Sequence, residues 1–408
     1  MELNPMNILM LSATFPYPPT RGGTQVRTFN LLKQLQQHHP VTLLTLQSPD
    51  VTDVEIANLR QQVSELVVFP RPSDAKTGTA AKLKRFANFA IGGTPSSVTA
   101  SYSPAAQVWL DQAVEAGKFD VITSEHCVNE IYVRPQWKTR LKTIVNIHSS
   151  VSSTCKNLLQ TGTSENPWRD RLNLPLLYRY ERQYCRKFSA IVVTTTEDQQ
   201  QIQALNPAAP LSVIPNGVDL EQFPCRVSDP DGHRLVFIGA MDNTANIDAA
   251  RFLALEIFPA IQQHYPQATL DLVGARPVAA VKELGDRPGV TVTGRVASMV
   301  DYLHRATVCV VPMRTGFGIK NKTLEAMAAG TPVVGSDRGL EGLAVDGAAA
   351  PLRAMRANQV TEYVAAIQHL FAEPNLRMQL SQAGRSLIEQ EYTWERAGKR
   401  YERVIRGD

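Results

Sequence analysis

Residues 308–336, VCVVPMRTGFGIKNKTLEAMAAGTPVVGS, constrain the fold of this chain more than any other stretch. They read as strand, glycine loop, helix, strand. Val308, Val310 and Val311 form an apolar run that stops at Pro312, the pattern of a strand buried on both faces. Gly316 and Gly318 then permit a sharp turn and leave backbone N–H groups open to a ligand. From Lys320 the spacing becomes helical, with Leu324, Met327 and Ala328 on one side, and it ends at Gly330-Thr331-Pro332. Val333 and Val334 begin the next strand. Such a crossover sets a helix N-terminus at the carboxyl edge of a parallel sheet, where anions and nucleotides bind. Lys320 and Lys322 add positive charge at that point, and Glu325, one turn further on, is within reach of the vicinal hydroxyls of a sugar. Backbone dipoles and lysine for a diphosphate, with a carboxylate for a ribose, describe a nucleotide-sugar pocket.

The segment TLEAMAAGTPVV, residues 323–334, resembles the carboxyl half of the signature of retaining GT-B glycosyltransferases of the family 4, or group 1, type. Glu325 matches the second Glu of that signature, and Phe317 stands where the first would be. GIKNKTLEAMA also resembles a subgroup with lysines in this loop. The resemblance implies an α/β protein of GT-B architecture, with two Rossmann-like doubly wound parallel-sheet domains facing a cleft. It implies transfer of a hexosyl unit, with retention, from a nucleotide diphosphate sugar to a hydroxyl of a glycan or lipid-linked acceptor. No metal and no cofactor beyond the donor are expected. Lys322, Glu325 and a histidine discussed below are the expected catalytic residues.

The chain is long enough for such a plan. Its 408 residues suffice for two domains with sizeable cores. Apolar residues make up 43% and charged residues 20%, the ordinary globular range, which excludes disorder as the default. The net charge of +4 is too mild to imply nucleic acid, though it suits anionic phosphates or, locally, a membrane surface. The five cysteines are scattered without a C-x-x-C pair, which favours a reducing compartment and argues against zinc or a disulfide framework. Neither a signal-peptide core nor a long apolar run is present, so a cytoplasmic protein is expected.

In the first half, residues 7–12 read as a buried strand leading to Gly22-Gly23 and an amphipathic helix with Val26, Phe29, Leu32 and Leu35 on its apolar stripe. A glycine pair before a helix can cradle phosphate, and the resembled family opens with such a loop facing its cleft. Arg21 and Arg27 flank it and are expected on the solvated surface. Residues 41–46 and 66–69 read as further strands. The segment 80–93, AAKLKRFANFAIGG, is basic with an apolar face, so it is expected as a surface helix that could lie on the inner face of a membrane. DVITS (120–124) and TIVNI (143–147) are parallel-type strands ending at His126 and at His148. The resemblance gives His148 the sugar- or acceptor-contacting role, with His126 as its rival.

Residues 179–202 read as helix, strand and capped helix, and IPNGVD (214–219) resembles the family's domain linker. Asn216-Gly217 is a turn pair on its own chemistry. The expected division is therefore an acceptor-binding domain of residues 1–216 and a donor-binding domain of residues 217–390. A closing helix in 391–408 is expected to pack back on the first domain. Asp229-Pro230-Asp231 reads as a turn rather than a metal site. The second half repeats the alternation, with strands at 235–238, 270–273, 290–293, 308–311 and 333–334. The loop opening at Gly239 is expected to face the donor. It carries Asp242, Asn243 and Asn246 where the family has basic residues, leaving charge to Lys320 and Lys322. Arg295, after the 290–293 strand, is the candidate beside the nucleobase. A non-catalytic nucleotide-sugar-binding module and a nucleotide-sugar epimerase are the alternatives to transfer. A dehydrogenase is disfavoured by the missing glycine fingerprint.

Overall fold

A computed structural model of the chain describes residues 4–72, 87, 89–208, 210–316, 318–347 and 351–407. These gather into two compact units, Met1–Pro215 with Ala397–Asp408, and Asn216–Arg396.

The first unit is built on a seven-stranded sheet in the order β3-β2-β1-β4-β5-β6-β7. Its strands are β1 (Ile8–Ser12), β2 (Val41–Gln47), β3 (Glu65–Pro70), β4 (Val121–Glu125), β5 (Lys142–Ile147), β6 (Ala190–Val193) and β7 (Leu211–Val213). Every neighbouring pair is parallel. β1, β4 and β6 are buried at every position: β6 is an unbroken apolar run and β1 is one up to Ser12, as expected of parallel strands covered on both faces, whereas β4 also buries Thr123, Ser124 and Glu125.

The second unit carries six parallel strands in the order β10-β9-β8-β11-β12-β13. These are β8 (Arg234–Ile238), β9 (Thr269–Val273), β10 (Val290–Gly294), β11 (Val308–Val311), β12 (Val333–Gly335) and β13 (Met355–Arg356). Both sheets thus start from a central strand, wind outward one way, and reverse. Ligands of such sheets bind where the order reverses, beyond the carboxyl ends of the strands. In the first unit that point lies between β1 and β4, in the second between β8 and β11.

Glycine fixes two close approaches. A Cβ on Gly217 would stand 2.3 Å from the Trp394 amide nitrogen, so no side chain fits where the Asn216-Gly217 turn meets the start of the last helix. At Gly274, with φ +154, a Cβ would lie 1.8 Å from the Gly239 carbonyl oxygen, so the turns after β8 and β9 pack backbone on backbone.

Two expectations need correction. Arg27 is not a surface residue: it is 1% exposed, and its guanidinium donates to Asn146 Oδ1 (3.1 Å) and to the Ile214 carbonyl (2.9 Å). The short edge strand β13 was not anticipated, because two residues carry no periodicity. Most of the basic segment expected at 80–93 lies outside the described residues. No helix among the described residues is long and apolar enough to cross a membrane.

Candidate active site

The reversal point of the second unit begins with the turn after β11. Gly316 and Gly318 both adopt left-handed backbone, φ 86 and φ 81, which non-glycine residues rarely take. Phe317 between them lies outside the described residues. The loop delivers the chain to the helix Asn321–Ala328, whose N-cap is Lys320 and which no side chain caps. Its leading N–H groups are therefore left to a ligand or solvent. Leu324, Ala326 and Met327 bury the opposite face, which fixes the helix against the sheet.

Two lysines meet different fates here. The Lys320 ammonium sits on the Gly318 carbonyl and 3.3 Å from the buried Glu341 carboxylate, which Arg338 also engages at 2.8 Å. Its charge is thus matched within the protein. The Lys322 ammonium donates to a neutral amide, Asn246 Oδ1, at 2.5 Å, and stands 4.9 Å from the centre of the Phe237 ring. Asn246 is itself oriented by donating to the Ala240 carbonyl at 2.8 Å. Loss of hydration pulls the Lys322 pKa down to about 8, with Lys320 nearby adding to the effect and Glu325 opposing it. The same loss of hydration pushes Glu325 up to about 7, with Lys322 opposing it. Lys322 and Glu325 are half-buried, and among the described residues nothing hydrogen-bonds the Glu325 carboxylate.

Gly239 completes the group. A Cβ there would come within 2.8 Å of Asn246 Nδ2 and 3.1 Å of Lys322 Nζ, so glycine is what keeps the space before the ammonium open. Asn216 Nδ2 donates to Asn321 Oδ1 at 2.7 Å and ties the Asn216-Gly217 turn to the start of the helix. The structure therefore brings Gly239, Lys322 and Glu325 together, with Gly316, Gly318 and Lys320 on the adjoining loop. Arg295 is exposed just beyond β10, two strands from the reversal point. Asp242, also in the Gly239 loop, is held by Arg276. Asn246 and Glu341, which decide how the two lysines differ, were not assigned those roles from sequence.

Gly22, Gly23 and His148 belong to the first unit. Gly22 is the extended N-cap of the helix Gly23–Leu35, and Arg21 before it pairs with Asp50 and Glu55. His148 follows β5, and its ring meets that of His126 edge-on with centroids 4.9 Å apart. His126 accepts from the Val128 amide on Nδ1 (3.3 Å) and holds φ 93, a strained value for a non-glycine residue. His148 Nε2 is buried without a hydrogen-bond partner among the described residues. Burial holds His126 down to about 4. Burial, His126 and Arg27 hold His148 well below the usual range, so both rings are neutral near pH 7. Beneath them Glu125 accepts from Tyr401 Oη (2.6 Å) and Asn146 Nδ2 (3.0 Å), and Asn146 in turn accepts from Arg27.

Asp229 and Asp231 are held by Arg377, and Asp229 also by Arg226. No cluster of three or more metal-binding side chains occurs among the described residues.

Comparison with known proteins gives the family and the fold. Residues 232–373 match the family model described as glycosyl transferases group 1, and residues 21–222 match the model for Glycosyltransferase Family 4. Sucrose-phosphate synthase from Thermosynechococcus elongatus superposes with a TM-score of 0.69 at 19% identity over 98% of each chain. Anabaena HepE, solved with UDP and glucose, gives 0.66 at 14% identity over 99% of this chain and 100% of its own. A mutant of S. aureus TarM, in complex with fondaparinux, alpha-GlcNAc-glycerol and UDP, gives 0.65 at 11% identity over 98% and 99%. No curated protein sequence matches the chain.

Proposed function

The chain belongs to the group 1, family 4 glycosyltransferases, and from that premise we propose that it moves a hexosyl unit from a nucleotide diphosphate sugar to an acceptor hydroxyl, with retention and without a metal ion. The observation that carries this reading is Lys322: a desolvated ammonium bonded to a neutral amide, with Gly239 leaving open the space in front of it. A fixed charge of that kind has no protein anion to satisfy it among its hydrogen-bond partners and is suited to a diphosphate.

The barrier to glycosyl transfer is charge separation, because an oxocarbenium-like sugar leaves an anionic diphosphate. Lys322, with the N–H groups of Gly316, Gly318 and the following helix, supplies the donors for the place where that charge grows, and needs no reorganisation to meet it. Glu325 takes the ribose hydroxyls, the role that the family resemblance gives the second Glu of the signature. Lys320 holds the loop and contributes its charge at longer range. In the first unit His148, neutral at pH 7, faces the sugar or acceptor, with Gly22 and Gly23 as backbone donors. Arg295 sits on the nucleobase side. A uridine nucleotide is supported by HepE and TarM, both solved with UDP. The acceptor is a glycan or lipid-linked saccharide.

The test is calorimetric binding and slow hydrolysis of UDP-, GDP-, ADP- and dTDP-sugars by the wild-type chain and Glu325→Ala. One donor should bind, turn over to free sugar in the absence of acceptor, and lose both properties in the variant. A donor that binds tightly and is never consumed, even with glycan and lipid-linked acceptors, would make the chain a binding module instead. Absence of binding across the panel would remove the pocket assignment.

A further inference from the structure

His126 is kept in a conformation that side chains rarely take. It follows β4 directly, with φ 93 and ψ 139, close to a region that is essentially glycine's. Its backbone is pinned on both sides. The amide donates to the Asn146 carbonyl on β5 at 3.1 Å, and the carbonyl accepts from Asn129 Nδ2 at 3.2 Å. Asn129 is 1% exposed and is itself fixed, donating to the Glu125 carbonyl and accepting from the Ala13 amide, each at 2.7 Å. Strain held in place by a buried side chain marks a position where the direction of the strained residue matters. Here the ring meets His148, with the two planes 79° apart and the centroids 4.9 Å apart.

The ring of His126 is pinned as well, and its proton with it. Nδ1 accepts from the Val128 amide at 3.3 Å, with the Cys127 Sγ 3.7 Å from the same nitrogen. A main-chain N–H can only donate, so Nδ1 carries the lone pair, and an uncharged ring then has its proton on Nε2. Burial holds the pKa down to about 4, so the ring is uncharged near pH 7. His148 is tied differently. Its backbone carbonyl accepts from the Thr194 hydroxyl at 3.4 Å, but its Nε2 is buried with no hydrogen-bond partner among the described residues. No bond at that nitrogen sets the ring. Arg27, from the helix Gly23–Leu35, and His126, from the end of β4, both disfavour a proton on it, after burial itself.

We propose that His126 is a positioning residue for His148: the pinned ring sets the rotation of the unpinned one and keeps water from its Nε2, so that His148 meets a substrate hydroxyl in one orientation. This rests on the reading of His148 as the residue that faces the sugar or acceptor. His126 itself touches no substrate in this assignment. The chain of causes runs from Asn129 and the Ala13 and Val128 amides to the His126 ring, and from that ring to His148. It explains why a strand end carries a histidine where its backbone suits glycine.

The experiment is imidazole NMR of the full chain with isotope-labelled histidine, followed against pH, for wild type, H126N and H126G, with H148Q to assign the His148 signals. The Oδ1 of H126N takes the place of Nδ1 and can still cap the Val128 amide, whereas H126G relieves the backbone; between them a folded variant without the ring is secured. Wild type should show His126 protonated on Nε2 at pH 7, and neither ring should take up a proton between pH 8 and pH 6. In both variants His148 should titrate, its pKa moving up towards the ordinary 6.5 as water reaches Nε2. With UDP-glucose as the probe, H126N should lower kcat for donor hydrolysis about tenfold or more. H126N/H148Q should be no slower than H148Q, because His126 acts through His148. An unchanged His148 titration in H126N and H126G would overturn the proposal. So would losses that multiply in the double variant, the mark of two independent contacts, or a His126 protonated on Nδ1. Expected spectra from a chain that hydrolyses no donor would count against the transfer reading and not against the pairing of the rings.

Discussion

Both sheets reverse their strand order at one place, and the two reversal points are furnished in opposite ways. Between β8 and β11 the furniture is backbone, left-handed glycine and an ammonium whose closest partner is neutral. Lys322 and Glu325 sit with their pKa values drawn towards each other, to about 8 and about 7, so the site can change charge when a ligand arrives. Between β1 and β4 the charges are turned inward: Arg27, Asn146, Glu125 and Tyr401 are linked by hydrogen bonds, and the neutral imidazoles of His126 and His148 follow the neighbouring strand ends. One topology therefore supports an anion receptor and a surface suited to uncharged hydroxyls.

The comparison can be broken most heavily at Arg27. Removing one partner of a buried charged network leaves the rest uncompensated, and about 3–5 kcal/mol is the usual cost. Arg27→Ala should lower unfolding free energy by that order, read by chemical denaturation. Adding Glu125→Gln should recover part of the loss, because the stranded carboxylate is then gone. If Arg27→Ala costs no more than a substitution at an exposed arginine such as Arg60, the first unit's network is not linked in the way described.

Lys322 should behave in the reverse sense. Its folded pKa lies below the value of an unfolded lysine, so the folded state disfavours the charge at neutral pH and the residue does not contribute stability. Lys322→Ala should therefore leave the melting temperature unchanged or raised. It should also remove about 2.7–4 kcal/mol of transition-state stabilisation, roughly 10²–10³ in kcat. A variant that melts early and binds donor normally would make Lys322 a structural residue.

The pH profile sharpens the same contrast. Lys322 is protonated below about 8 and Glu325 ionised above about 7. Donor affinity should be highest between these values and fall by at most about tenfold per pH unit on either side. Glu325→Gln should flatten the acid limb and leave the alkaline one. The histidines of the first unit, held neutral by burial, should contribute no limb between pH 6 and 8, so an acid limb that survives Glu325→Gln and vanishes with His148→Gln would overturn their assignment as neutral.

Legibility followed how local each feature is. Buried parallel strands such as β8 from Leu235 onward and β11 give continuous apolar runs, and the loop-helix after β11 carries its glycines, lysines and carboxylate in one short span. Those were readable. The helix Gly23–Leu35 was read with Val26 and Phe29 on its buried stripe, yet it buries Arg27, Thr28, Leu31, Leu32 and Leu35. The rotation is set by acceptors far along the chain, Asn146 and the Ile214 carbonyl, which no periodicity reveals. Likewise the two lysines looked equivalent in sequence, and what separates them, Asn246 and Glu341, lies 76 residues before Lys322 and 21 after Lys320.

That separation leads to the smallest of the expected effects. Lys320 is paired with Glu341, and Glu341 keeps Arg338 when Lys320 is lost. Lys320→Gln should therefore strand no charge, and a glutamine amide can still donate to the Gly318 carbonyl. Donor affinity should drop less than tenfold, through weaker long-range attraction for the diphosphate, and kcat should stay within a few-fold of wild type. Calorimetry on Lys320→Gln beside Lys322→Gln reads the difference directly. Equal losses would mean that Lys320 leaves Glu341 when the donor binds.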